Sequence, residues 1–211
     1  MTLISLKAKN FQADGAVSAE FSNNTTLLLS TDYLPETIFS EGEIDPALLE
    51  TGRELSSSEE DAFRFAAACY RAERAALKLI ARAEQNSLGL TVKLERRNFG
   101  TAVTKAVVSK LLEQNLLDNE RYAERWIRSR LALRKAPSPQ ELLVALGKRG
   151  IDRKSSLKAL DKVLDSQTEY ELLLKYLEKA KFPRGKGAFS LRAPLKHEGF
   201  SSEAIDRYLD I

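Results

Sequence analysis

A chain of 211 residues, 43% hydrophobic and 30% charged, is long enough to bury a real core. It holds no run of about 18 apolar residues of the kind a membrane-spanning helix needs. One cysteine, Cys69, and one histidine, His197, exclude an internal disulfide and leave metal sites without their usual ligands, so the expectation is a reducing cytoplasm and no metal. Net charge is only +3, but it is unevenly placed: residues 1–57 set Lys7, Lys9 and Arg53 against nine acids, whereas residues 58–211 carry 30 basic and 21 acidic residues. The peak runs from Arg121 to Lys154, where ten basic residues face three acids, and such asymmetry points to a polyanionic partner.

The N-terminal stretch MTLISLKAKN lacks the apolar core and cleavage site of a secretory leader. Ile4, Leu6 and Ala8 alternate with polar positions, as do Val17, Ala19 and Phe21 after the Asp14-Gly15 turn signal. Ser22-Asn23-Asn24 turns into TTLLLS, which predicts a three-stranded antiparallel meander. Two short helical segments follow, the second begun by Asp45 with Pro46 at its first position, and Ser56-Ser57-Ser58 closes an acidic module over 1–57.

From there every pattern is helical. Ser57 and Glu60 have capping-box spacing ahead of an Ala-rich helix to about Glu84, with Phe63, Phe65, Tyr70, Leu77 and Ile80. Asn86 caps a short helix that Asn98 ends, and Val103, Val107 and Leu111 mark another. A second unit starts at Asp118, with Tyr122, Ala123, Trp126, Ile127 and Leu131 as its apolar stripe. Ser138-Pro139-Gln140-Glu141 is a capping box opening its short helix, and Leu157 and Leu160 are expected to form the buried side of the helix after Ile151. In the third unit Ser166 and Glu169 cap a helix through Tyr170, Leu173, Leu174 and Leu177. The linker Phe182–Gly187 then leads to a last pair of helices ending with Ala204, Ile205, Tyr208 and Leu209.

One motif recurs: LTVKLERRNF (90–99), LLVALGKRGI (142–151) and LRAPLKHEGF (191–200), spaced 52 and 49 residues apart. Asn98, Gly150 and Gly199 stand where each short helix must stop in a left-handed conformation. Pro194 should kink or loosen the third copy. The predicted fold is therefore mostly α. Three tandem three-helix repeats (58–117, 118–165 and 166–211) form an elongated, curved body behind a small β module, a shape suited to long, grooved partners.

No catalytic constellation has useful specificity, and neither a cofactor site nor a metal site emerges. His197 lacks a Ser or Cys partner, Cys69 reads as a buried structural thiol, and PRGKGAF lacks phosphate-loop spacing. The basic face is the candidate. Arg121, Arg125, Arg128 and Lys135 share one side of a helix, Arg130 and Arg134 flank them, and Lys148, Arg149, Arg153 and Lys154 follow around the second motif. This density suits phosphates without reading sequence, although local pairs such as Glu124–Arg128 on a solvated face would explain part of it. Trp126 and Tyr122 offer stacking platforms for single-stranded bases, but their spacing within an apolar stripe favours core packing.

The stretches LLDNERYAERWIRSRL and QELLVALGKRGID, with ALKLIARAEQ and LKHEGFSSEAIDRYL, resemble the RecX family over roughly residues 60–211. Residues 1–57 are similar to the strand-rich extension of some members, and Ala136-Pro137 stands where the family usually has Gly. The resemblance implies a non-enzymatic regulator in DNA repair, homologous recombination and the SOS response. Such proteins bind in the groove of the RecA–single-stranded DNA filament and usually inhibit filament extension, ATP hydrolysis and strand exchange. The implied partners are that filament and single-stranded DNA, with duplex DNA bound weakly, no membrane, and a monomer when free. A stand-alone helix-turn-helix DNA-binding protein is the competing reading, but no helix clusters Asn, Gln and Arg for base edges. A helical interaction scaffold without a nucleic-acid role is the third.

Overall fold

The computed structural model describes residues 2–8, 16–40, 43–49, 53–133, 136–180 and 188–209. The turn expected at Asp14-Gly15 and the linker Phe182–Gly187 with its PRGKGAF sequence lie outside the described residues, apart from the start of the last turn before the third motif. Strands β1 (Leu3–Ala8), β2 (Ala16–Phe21) and β3 (Thr26–Ser30) form an antiparallel sheet in that order, as the alternation predicts. The register shifts between Leu3 and Ser5, which sets Leu3 opposite Phe21, and both are buried. Asn24 takes a left-handed φ of 58° to close the β2–β3 turn.

Beyond the sheet the chain departs from expectation. Instead of two short α-helices there are three 3-10 turns, Thr31–Tyr33, Glu36–Ile38 and Pro46–Leu49, and a two-residue ladder of β4 (Phe39–Ser40) with β5 (Glu43–Ile44). Segments of three or four residues cannot repay the cost of nucleating an α-helix, and short 3-10 turns are the usual outcome. Asp45 still caps the last of them, its side chain accepting from the Ala47 N–H at 2.9 Å.

The described helices are α1 (Ser57–Arg82), α2 (Ser87–Glu95), α3 (Thr101–Glu113), α4 (Asn119–Leu131), α5 (Pro139–Gly147), α6 (Arg153–Val163), α7 (Ser166–Lys179), α8 (Arg192–His197) and α9 (Ser202–Leu209). Most are capped where the sequence places them: Asp118 accepts from Glu120 and Arg121 N–H, Asn86 from Gly89 N–H, and Ser138 with Glu141 completes a capping box. Two caps differ. The box ahead of α1 is Ser56–Glu59, one residue before the expected Ser57–Glu60, because Arg53 grips the Glu59 carboxylate at 2.9 Å and selects that frame. Helix α7 is capped by Asp165, not Ser166, while Glu169 reaches across to accept from the Ser201 N–H and hydroxyl, both at 2.7 Å.

The chain divides into two compact units, one of Met1–Ala83 with Leu90–Leu116, the other of Glu84–Gly89 with Leu117–Ile211. In the first, the sheet and α1 share one core: Leu3, Ala19, Phe21 and Leu29 pack with Ile38, Leu48, Phe63, Ala66 and Ala67. Lys110 on α3 bonds Asp32 at 2.7 Å and Glu73 at 3.1 Å and lies 4.6 Å from the Tyr33 ring centroid. Burial opposes its charge, but those two carboxylates outweigh it and raise its pKa. In the second unit α4, α5 and α6 pack around Ile127, Leu142 and Leu146, and a further cluster centres on Leu173, Leu195 and Ile205.

The repeated motif has one backbone explanation. After α2, α5 and α8 the N–H groups of Phe99, Ile151 and Phe200 donate to the carbonyls of Leu94, Leu146 and Leu195, five residues back. Those of Asn98, Gly150 and Gly199 donate three residues back, to Glu95, Gly147 and Lys196. With φ of 63°, 76° and 87° at the middle position, each is a Schellman stop, and the motif's second Leu and final apolar residue are its hydrophobic clasp. Pro194 has the expected effect: α8 is only six residues long, and a 3-10 turn, Ala188–Leu191, replaces the turns before it.

The start of α5 is tied to the end of α8. Gln140 N–H donates to the Glu198 carbonyl at 2.9 Å, and the buried Ser138 hydroxyl donates to the Glu198 carboxylate at 2.6 Å. Replacing Ser138 with Ala removes this bond together with the cap. The expected loss is about 1–2 kcal/mol, read as a shift in the denaturant midpoint; a loss below about 0.5 kcal/mol would contradict it.

Candidate polyanion interface

Helix α4 positions Arg121, Arg125, Arg128 and Arg130, because Asp118 fixes its first turn and Ala123 and Ile127 bury one side. At about 100° per residue, Arg121, Arg125 and Arg128 fall within about 60° of one another. Arg130 lies about 180° from Arg121, on the same flank as Trp126. The single basic face read from the sequence is therefore two faces. Arg134 and Lys135 lie outside the described residues.

The two faces differ in electrostatics. On the first, Glu84 binds Arg121 at 2.8 Å and Arg125 at 3.0 Å, so much of that charge is spent within the protein. Arg128 is exposed, and its field helps hold the Asp165 carboxyl below the usual range, chiefly a consequence of the Thr168 N–H donating to it. Beside them, Lys162 on α6 bonds Glu120 at 2.5 Å and Glu124 at 3.0 Å, and Lys158 lies 3.7 Å from Glu120. The local Glu124–Arg128 pair gives way to this inter-helix network. Its hydrogen bond from Lys162, above all, lowers the Glu120 pKa, and the two carboxylates raise that of Lys162.

On the second face Trp126 is only half-buried against the α4–α6 core, and its ring is flanked by cations. The Arg130 guanidinium carbon lies 4.9 Å from the ring centroid and that of Arg149, from the end of α5, 4.5 Å. Arg149 also donates to the Ala145 carbonyl at 2.8 Å. Neither arginine pairs with a carboxylate among the described residues, nor do the exposed Lys148, Arg153 and Lys154. Tyr122 packs against the same core. The sequence missed Glu84, Lys158, Lys162 and the Trp126–Arg149 contact, because each joins residues more than twenty positions apart and leaves no local spacing.

His197 is exposed at the end of α8. Cys69 is buried, and burial first, then Glu73, pushes its thiol up to about 11. Among the described residues no three His, Cys, Asp or Glu gather into a metal site, and no helix is long and apolar enough to cross a membrane.

No protein-family model matches the chain. The regulatory protein RecX of Treponema pallidum (strain Nichols) is 36% identical over 147 residues, 70% of this chain and 88% of the relative. That of Pseudomonas entomophila (strain L48) is 32% identical over 143 residues, 64% of this chain and 88% of the relative. A crystal structure of a regulatory protein RecX aligns over 100% of this chain and 99% of its own, with a TM-score of 0.61 at 16% identity. RecX from Lactobacillus salivarius aligns over 68% of this chain and 95% of its own, with a TM-score of 0.51 at 20% identity. The two structures establish the mostly helical fold, and the two sequence relatives establish the family. This chain, a string of helices with Schellman-stopped motifs and a basic α4–α6 region, belongs to the RecX family of regulatory proteins.

Proposed function

We propose that this regulator acts on the RecA recombinase, binding in the groove of the RecA–single-stranded DNA filament and restraining its ATP hydrolysis, extension and strand exchange. The observation that carries the reading is the set of cations on α4 to α6 with no acidic partner among the described residues: Arg130, Lys148, Arg149, Arg153 and Lys154. With Arg128, they offer charge to a polyanion that the rest of the fold does not consume. Arg121 and Arg125, held by Glu84, contribute less. Neither a cofactor nor a catalytic centre of its own enters this reading. The protein works in the cytoplasm as a monomer and binds duplex DNA weakly.

The test is ATP turnover by RecA on single-stranded DNA as purified protein is added. Wild type should lower turnover at comparable or substoichiometric concentration and co-sediment with the filament. Reversing Arg128, Arg149 and Lys154 to Glu together should abolish both effects. Unchanged turnover with no co-sedimentation of wild type would sink the proposal. Tight, sequence-selective duplex binding without recombinase would replace it.

A further inference from the structure

Trp126 is the one tryptophan of the chain, and it does more than fill the core. Its indole holds Arg130 and Arg149, from two different helices, beside one ring. Both side chains also line one cleft, so a phosphate at its mouth has guanidinium donors within reach. Stacked on the ring, these side chains have already given up much of their rotamer freedom, so less is lost when an anion arrives.

Next to this pair opens a cleft of about 250 Å³, walled by Leu133, Pro137, Leu142 and Ala145 together with the indole. Leu133 stands 48% exposed on its rim, a large apolar side chain left in water. Glu141 also lines the cleft, but its carboxylate is engaged by the Ser138 N–H at 3.0 Å in the capping box. The cleft is smaller than the 300–1,000 Å³ typical of drug-sized ligand sites, so it suits a flat fragment.

The geometry points to a subsite for one nucleotide unit of single-stranded DNA, with a phosphate on Arg130 and Arg149 and the adjoining base laid into the apolar cleft. Two features together favour this over an acidic peptide: the cleft sets guanidiniums beside a flat apolar wall, and Lys148, Arg153 and Lys154, at the end of α5 and the start of α6, are exposed with no carboxylate partner among the described residues. A paired duplex is excluded from the cleft, because the base must leave its stack to enter. This inference rests on the reading that the chain works on a filament of single-stranded DNA, and it names the residues that meet the strand.

Since Trp126 is the sole tryptophan, its fluorescence reports the site directly in the full chain. Titration with an oligothymidylate should quench it, an abasic strand of the same length should bind several-fold more weakly, and polyglutamate should leave it unchanged. Arg130→Gln and Arg149→Gln should each weaken oligothymidylate binding about tenfold and flatten the salt dependence by about one unit of slope. Arg125→Gln, on the Glu84-paired face, should change affinity less than about twofold. Leu133→Glu, at an exposed position that does not threaten folding, should abolish base-dependent quenching. Equal quenching by polyglutamate, equal affinity for the abasic strand, or full affinity in both arginine variants would overturn the subsite. If Arg149→Gln still inhibits the recombinase fully while the oligonucleotide never quenches Trp126, the subsite falls and the filament reading stands. If wild type quenches with oligothymidylate but never affects the recombinase, the filament reading falls and the subsite stands.

Discussion

Phe63→Ala is expected to destabilise the first unit by about 3–5 kcal/mol. The Phe63 side chain is fully buried, and its ring meets that of Phe21 edge-on, with centroids 5.7 Å apart at 82°. It is the point where β2 and α1 join, and its neighbours Ala19, Ala66 and Ala67 are too small to fill the space it would leave. A three-stranded sheet has little stability alone and depends on burying one face. The truncation therefore loosens the sheet as well as the helix. Denaturation followed by far-UV circular dichroism should show the lower midpoint, and amide hydrogens of β2 should exchange faster. A loss under about 1 kcal/mol would mean that the sheet does not depend on this contact.

That shared core shows how far local pattern reaches. Alternation around Val17, Ala19 and Phe21 was enough to place the strands, and 3.6-residue periodicity the helices, because both are properties of adjacent residues. The run Ser56-Ser57-Ser58-Glu59-Glu60 holds two overlapping capping boxes, and Arg53, which holds Glu59, favours the first. Glu169 looks like a helix-capping residue until Ser201, 32 positions on, claims both of its oxygens.

The candidate interface divides along the same line. Clustering of Arg and Lys from Arg121 to Lys154 is visible in the sequence, but which charges remain unpaired is not. Glu84 reaches Arg121 across 37 positions and Glu120 reaches Lys162 across 42. Partnering of this kind moves the exposed charge away from Arg121 and Arg125 and toward Arg130 and Arg149. It also changes the meaning of Trp126, which the apolar stripe assigns to the core and the fold leaves half-buried beside two guanidiniums.

Gly150→Ala is expected to cost about 2–4 kcal/mol, from the left-handed strain that any Cβ suffers there and from overpacking. With φ at 76°, an added Cβ would lie 2.7 Å from the Cβ of Leu88, which is fixed to the backbone and cannot swing aside. Leu88 stands in the first turn of α2, so the stop of the second motif is packed against the turn that opens that helix. Gly199 repeats the arrangement one step on: its Cβ would meet the Gln140 backbone nitrogen and the Pro139 Cβ, each at 3.2 Å, in the first turn of α5. The first motif has no earlier copy to pack on, and its stop is Asn98, which carries a side chain at φ 63°. The choice of Gly or Asn in the motif thus follows from stacking as well as from helix termination. Gly147→Ala is the control, since it lies on α5 with nothing within 4 Å of the added methyl. It should be neutral or stabilising by about 0.5–1 kcal/mol through backbone entropy. Denaturation of the two variants side by side, read by Trp126 fluorescence, checks both; equal midpoints would show that the stop glycine carries no stacking constraint.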